Sequence, residues 1–286
     1  MLIEYYGQQP PAVLHHYTDA AGLLGIIKGR ALWATHIRFL NDAREFLHAV
    51  DLAQAYVQRL KSQHNPLLMS TLSLTLEGMP GNTFVISFSE DGDVLSQWRG
   101  YCRSGGYSMD FDSQKLRQFA DEQRFVLVKC TYDRTEQEQL IQNLILQAIR
   151  EFPHYIPTGT VPAVITEEER ARFFSAQWFF PKMQRLASAM KDPAFKEERE
   201  WRLIGALLLP LPPLDVRPRG SLLIPYETFK LQSGTPATFE GVITRVLVGP
   251  NPDQELAVFS IARMQQCGYI GWDLRVETSK IPYRLT

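Results

Sequence analysis

The residues best equipped for chemistry lie in the charged run Phe195-Lys196-Glu197-Glu198-Arg199-Glu200-Trp201-Arg202, which leads straight into the apolar Leu203-Ile204-Gly205-Ala206-Leu207-Leu208-Leu209 and stops at Pro210. Such a charged run is ordinarily a solvated helix face. The apolar continuation ending in proline predicts instead a strand entering a core. Counted from Glu198, period-two alternation sets Glu198, Glu200 and Arg202 on one face and Arg199, Trp201 and Leu203 on the other. Two carboxylates and a guanidinium at the mouth of a buried strand have two readings. They line a cleft, or they form a paired structural cluster, because buried charges persist mainly when compensated.

Other polar and aromatic residues fall at the ends of apolar strands. His16-Tyr17-Thr18 closes a first strand, and Ser87-Phe88-Ser89 closes a central one, with Trp98, Arg99 and Tyr101 soon after. Strand ends and the loops beyond them are where sheet proteins bind small ligands. Each piece also has a structural reading: a hydrogen-bonded His-Tyr pair, plain β-sheet for Ser-Phe-Ser, a Trp-Arg stacking pair on the core. Named catalytic motifs are missing, with no Walker loop, G-x-G-x-x-G, G-x-S-x-G or H-E-x-x-H. His15 and His16 are adjacent and point to opposite faces of a strand, so no metal site is expected.

The elements that must position these residues follow from periodicity and punctuation. After a lead-in over 1–13, a strand is predicted at 13–17, a helix at 20–28 closed by Gly29, and a strand at 31–35. A helix capped by Asn41-Asp42 runs to about Leu60, and 62–82 is ambiguous, its apolar 67–76 compatible with a continuation of the helical region. A turn follows at 78–82. The buried strand 83–89, a short helix at 94–101, strands at 107–111 and 125–132, and helices at 135–151 and 167–190 come next. Strands at 201–209, 221–224, 241–248 and 272–278, with a helix at 253–266, complete the chain. Proline-rich stretches at 152–162 and 210–220 read as loop insertions. Strands and helices alternate over all 286 residues with no linker, which predicts one α+β domain.

Composition narrows the classes. The chain is 45% hydrophobic and 21% charged, as expected of a globular protein, and its formal charge is -1. No global field draws nucleic acid or anionic lipid. Three widely spaced cysteines, Cys102, Cys130 and Cys267, without C-x-x-C, exclude a disulfide scaffold and fit a reducing cytoplasm. The beginning carries no basic-then-apolar leader, and no apolar run is long enough to span a bilayer. A cytoplasmic protein without membrane partners is expected.

Taken in order, several strings resemble a bacterial family described only as a domain of unknown function, DUF2971. They are Leu14-His15-His16-Tyr17-Thr18, Leu32-Trp33-Ala34-Thr35, Phe39-Leu40-Asn41-Asp42-Ala43-Arg44-Glu45, Ile86-Ser87-Phe88-Ser89, Leu95-Ser96-Gln97-Trp98-Arg99-Gly100-Tyr101, Tyr107-Ser108-Met109-Asp110-Phe111 and Lys196–Arg202. More distantly, the layout is similar to the ADP-ribosyltransferase superfamily, in which an early strand supplies His or Arg, a middle one Ser or Tyr, and a late one Glu. That resemblance implies a single domain with a central, mostly antiparallel split sheet flanked by helices, and NAD as substrate. It implies that His16, Tyr17 and Thr18 hold the adenosine ribose end of NAD, that Ser87 or Ser89 takes the middle position, and that Glu200 or Glu198 is the catalytic carboxylate. Tyr17, Trp98 or Tyr101 would stack on a ring, and Arg99 or Arg202 would pair with the pyrophosphate. The implied function is ADP-ribosyl transfer, to a protein or nucleic-acid acceptor, or NAD hydrolysis. A non-enzymatic nucleotide-sensing module and an effector acting on nucleic acid are the alternatives.

Overall fold

The computed structural model describes residues 5, 7–40, 43–79, 82–102, 105–159, 165–206, 214–231, 241–270 and 274–282, and every structural statement concerns these residues. The Asn41-Asp42 cap, Pro80-Gly81 of the predicted turn, Leu207–Leu209, 210–213 of the proline-rich stretch and Trp272 lie outside them.

The central strand is β3, Thr83–Ser89, whose composition is β-branched, aromatic and apolar and whose burial is nearly complete. One of its edges pairs antiparallel along its whole length with β6, Glu200–Ala206, which in turn pairs with β5, Phe125–Lys129. Its other edge is shared. β1, Val13–Thr18, meets it only at Ser89 through His15, whereas β2, Ala31–His36, meets it only at Val85 and Phe84 through Thr35 and His36. β1 and β2 therefore part company along β3, and the sheet forks beside Ile86, Ser87 and Phe88. The backbone of a fork must find other partners. Here the Ser87 carbonyl accepts a hydrogen bond of 2.9 Å from His16 Nδ1.

Each branch continues outward. β1 pairs with β4, Tyr107–Asp112, which pairs with β9, Ile243–Val248, and this with the parallel β10, Arg275–Thr278. β2 pairs with β8, Leu222–Lys230, and β8 with β7, Asp215–Arg219. The single ten-stranded sheet is thus mostly antiparallel and split. β7 corrects the expectation of a loop over 210–220. Pro218 is compatible with a strand because β7 is the outermost of its branch, where a missing N–H breaks no central ladder.

Helices cover both faces. α1, Ala20–Gly29, is capped by Asp19 accepting from Gly22 N at 2.7 Å. With α5, Ser113–Glu122, and α9, Gln254–Gln266, it packs on the face that carries Phe84, Ile86, Phe88 and Leu203. α2, Ala43–Leu60, α3, Pro66–Glu77, and α6, Arg134–Glu151, cover the face that carries Val85, Val128 and Ile204. The predicted helix at 167–190 is α7, Glu167–Phe174, and α8, Phe180–Ser188, joined by a π-helical turn, Ser175–Phe179. Pro181, lacking an N–H, stands just beyond that turn. Among the described residues, no helix is long and apolar enough to cross a membrane.

Candidate functional site

A cavity of about 520 Å³ opens at the fork, within the ordinary range for a small-molecule site. The elements around it explain its lining. Antiparallel partners share a face, so Ser89 and Glu200 stand together, as do Ser87 and Arg202, and Thr35 and Val85. His16 belongs to the opposite face and reaches the cavity through the gap between β1 and β2. Its ring packs against Phe88 at 5.6 Å and Phe111 at 6.4 Å. Because a carbonyl can only accept, Nδ1 carries the proton and Nε2 keeps its lone pair. Burial and then the nearby Arg217 push His16 below its ordinary range, outweighing the bond to Ser87, so the ring is neutral at pH 7.

The short helix α4, Leu95–Tyr101, forms one wall. Gln97 and Tyr101, one turn apart, face the cavity with Gly100. Gln97 is only 6% exposed, and among the described residues its amide makes no hydrogen bond. α4 is anchored by Trp98 and Tyr17, of which Tyr17 also lines the cavity. Trp98 donates from Nε1 to Asp93 at 2.8 Å and packs edge-on to Tyr17 at 4.8 Å. Tyr17 donates to the Asp91 carbonyl at 2.9 Å and accepts from Val94 N at 3.0 Å. α1 comes close at Gly22, where a Cβ would stand 2.0 Å from Thr18 Oγ1, so the glycine is required for the approach.

The acidic wall begins before β6. Pro193–Glu198 is a 3₁₀ turn, and Arg199 adopts a left-handed conformation at φ 42°, so the strand starts at Glu200 and not near Glu198. Glu198 thus comes to the cavity from a turn. Glu200 is held on both sides: Arg202 donates from Nε at 2.8 Å and from a terminal nitrogen at 3.1 Å, and Lys191 Nζ lies 2.6 Å away. Lys191 also pairs with Glu198. Tyr132 accepts from Glu200 N at 2.8 Å, and Ser89 Oγ donates to the Glu198 carbonyl at 2.8 Å. Burial opposes ionisation of Glu200, but the Arg202 and Lys191 charges overcome it and hold the carboxyl down at about 2. For Glu198 burial, aided by the Glu200 charge, outweighs Lys191 and raises the carboxyl above its ordinary range.

Of the residues predicted from the sequence, His16, Tyr17, Thr18, Ser87, Ser89, Tyr101, Glu198 and Glu200 all line this one cavity. Three do not. Trp98 is 1% exposed and serves as the internal anchor of α4, so it presents no face for stacking. Arg202 has its guanidinium buried against Glu200 and the Ser188 carbonyl at 2.6 Å, so it positions an acid and does not meet an anion. Arg99 is exposed on α4 and is not among the residues around the cavity, because the helical turn directs Gln97 and Tyr101 there instead. Sequence reasoning missed Trp33, Thr35, Arg217 and Arg219, which line the cavity from β2 and β7, and Lys191, which pairs both acids. The period-two spacing of Arg217 and Arg219 was the available signal, obscured by the prolines around it.

No curated protein and no solved structure matches this chain. A family model described as Protein of unknown function (DUF2971) matches residues 97–203, from the cavity-facing part of α4 into β6, and this stretch is similar to that family.

Proposed function

We propose that the protein consumes NAD, transferring ADP-ribose or hydrolysing the dinucleotide, in the cavity at the fork of the sheet. One observation carries this reading: a neutral imidazole, a serine and two carboxylates of opposite acidity converge on one hollow from three separate strands and a turn. Paired acids whose surroundings drive them apart suit different roles. Glu200, ionised at every working pH, is the group to stabilise a cationic ribose or to accept from its 2′-hydroxyl. Glu198, more basic and nearer solvent, is the group to take a proton from the attacking hydroxyl. In that step the bond between C1′ and the nicotinamide nitrogen breaks, its electron pair neutralises the ring, and the acceptor oxygen bonds to C1′ as its proton passes to Glu198. His16 Nε2 and Ser87 Oγ are placed to hydrogen-bond ribose hydroxyls.

The test is nicotinamide release from NAD by the pure protein, by Ser87→Ala and by Glu198→Gln. Loss of the general base should lower kcat on the order of 10²-fold or more. No release with water or with added protein or nucleic-acid acceptors, together with no NAD binding in calorimetry, removes the proposal. A sensing module that binds without turnover is the second reading. The full compensation of Glu200 by Lys191 and Arg202 favours it, since a neutralised acid has less charge to offer a cation. Tight NAD binding with no nicotinamide release would select it.

A further inference from the structure

Arg217 is a cation on the cavity wall that forms no ion pair with any described carboxylate, the Asp19 charge acting on it only from a distance. It projects from β7, the strand hidden in the proline-rich stretch, and its terminal nitrogen reaches Thr35 Oγ1 at 2.9 Å. That neutral hydroxyl is its only hydrogen-bond partner among the described residues, and its Nε–H is buried without one. No carboxylate forms an ion pair with it there, and the guanidinium lies over the Trp33 ring at 5.5 Å. Arg219, two residues on and on the same face, joins it in the lining. A half-buried guanidinium with donors to spare is costly to keep unless something anionic completes it. Burial and then the Arg219 charge disfavour its protonated form by more than Asp19 favours it, so a ligand anion would further stabilise it.

Position along β3 gives the reach. Thr35 pairs with Val85 and Glu200 with Ser89, four residues apart, which at the rise of a strand is roughly 13 Å. Arg217 and Arg219 therefore stand at one end of the cavity and Glu198 and Glu200 at the other, with His16 and Ser87 between them. We infer that Arg217, assisted by Arg219, is the anion-binding arm of this cavity, and that its ligand is an elongated nucleotide whose phosphate groups lie at the β2–β7 end while its sugar lies toward Glu198 and Glu200. The inference specifies the ligand class for the site proposed above, but it needs no turnover to be tested.

The experiment is calorimetric titration of the full chain with ADP, inorganic pyrophosphate and adenosine, repeated with Arg217→Met and Arg217→Lys. The expected result is that ADP and pyrophosphate bind, that adenosine binds at least about tenfold more weakly than ADP, and that Arg217→Met loses about tenfold or more in ADP affinity with adenosine unaffected. Arg217→Lys should recover part of the loss, since it keeps the charge without the planar fork. Equal affinity of the wild type for ADP and adenosine, no binding of ADP, or an Arg217→Met variant that binds ADP like the wild type would overturn the inference. Should Arg217→Met fail to fold, Arg219→Gln and competition of pyrophosphate against ADP on the wild type decide: no weakening and no competition overturn it. ADP binding that depends on Arg217 without nicotinamide release would leave this inference standing and remove the NAD reaction. NAD cleavage indifferent to Arg217→Met would do the reverse.

Discussion

Replacing Glu200 by glutamine should unfold the protein more readily, and the size of the effect follows from the site. The Arg202 and Lys191 charges hold the buried carboxyl well below its ordinary range, so its ionised form adds to stability at neutral pH. Breaking a buried ion pair from one side costs ~3–5 kcal/mol, because the other charge is stranded. Here Arg202, 4% exposed, would lose its Glu200 partner, while Lys191, 3% exposed, would keep Glu198. At roughly 2–4 °C per kcal/mol for a chain approaching this size, Glu200→Gln should lower the melting temperature by on the order of 6–12 °C. Differential scanning fluorimetry and urea titration of Glu200→Gln, Lys191→Met and the double variant are the assay. Removing the acid with one of its cations should fall short of additivity by on the order of 1–3 kcal/mol. A Glu200→Gln variant that melts with the wild type, or losses that simply add, would refute the linked cluster. The same arithmetic explains why Glu198→Gln and Ser87→Ala, not Glu200→Gln alone, are the informative catalytic variants.

Further outcomes follow. Stability should fall on acidification in two stages. Buried neutral His16 contributes fully above about pH 6.5 and loses its contribution as pH falls below that, while Glu200 contributes fully above 4.5 and loses its part as pH falls toward 2. Glu198, raised in the fold, acts in the opposite sense and gains as it is protonated above pH 4.5, so Glu198→Gln should remove that offset and steepen the first stage while leaving the second unchanged. Urea midpoints at pH 8, 6, 4 and 3 check this. Trp98→Phe should cost about 1–3 kcal/mol by removing the indole donor to Asp93, which keeps only Ser279 Oγ at that oxygen, yet leave nucleotide affinity unchanged, since the indole anchors α4 from inside; a weakened Kd at unchanged fold would contradict that. If turnover occurs, kcat should rise with pH through the Glu198 ionisation, and Glu198→Gln should flatten that acid limb.

Much of this architecture was legible in the residues. β3 was read at its observed bounds because a run of β-branched and aromatic residues between turns admits few alternatives, and α1 was marked by its closing glycine. The convergence of His16, Ser87 and Glu200 was reached through resemblance of layout, not through spacing, because partners separated by some 70 to 110 positions leave no periodic trace. What failed failed for physical reasons. β7 was lost because prolines read as loop, although an outer strand tolerates them. Glu198 was placed on a strand because alternation alone cannot announce the left-handed Arg199 that ends the preceding turn. Trp98 and Arg202 were read as ligand contacts because residue type does not tell whether an indole or a guanidinium faces outward or holds its neighbour.

The most direct measurement is a crystal structure with ADP-ribose. The account predicts the ligand threaded through the gap between β1 and β2, its distal ribose within hydrogen-bond reach of Ser87 and the acidic pair and its phosphates beside Arg217. Density for the ligand elsewhere, or a gap left unchanged at millimolar ligand, would contradict it.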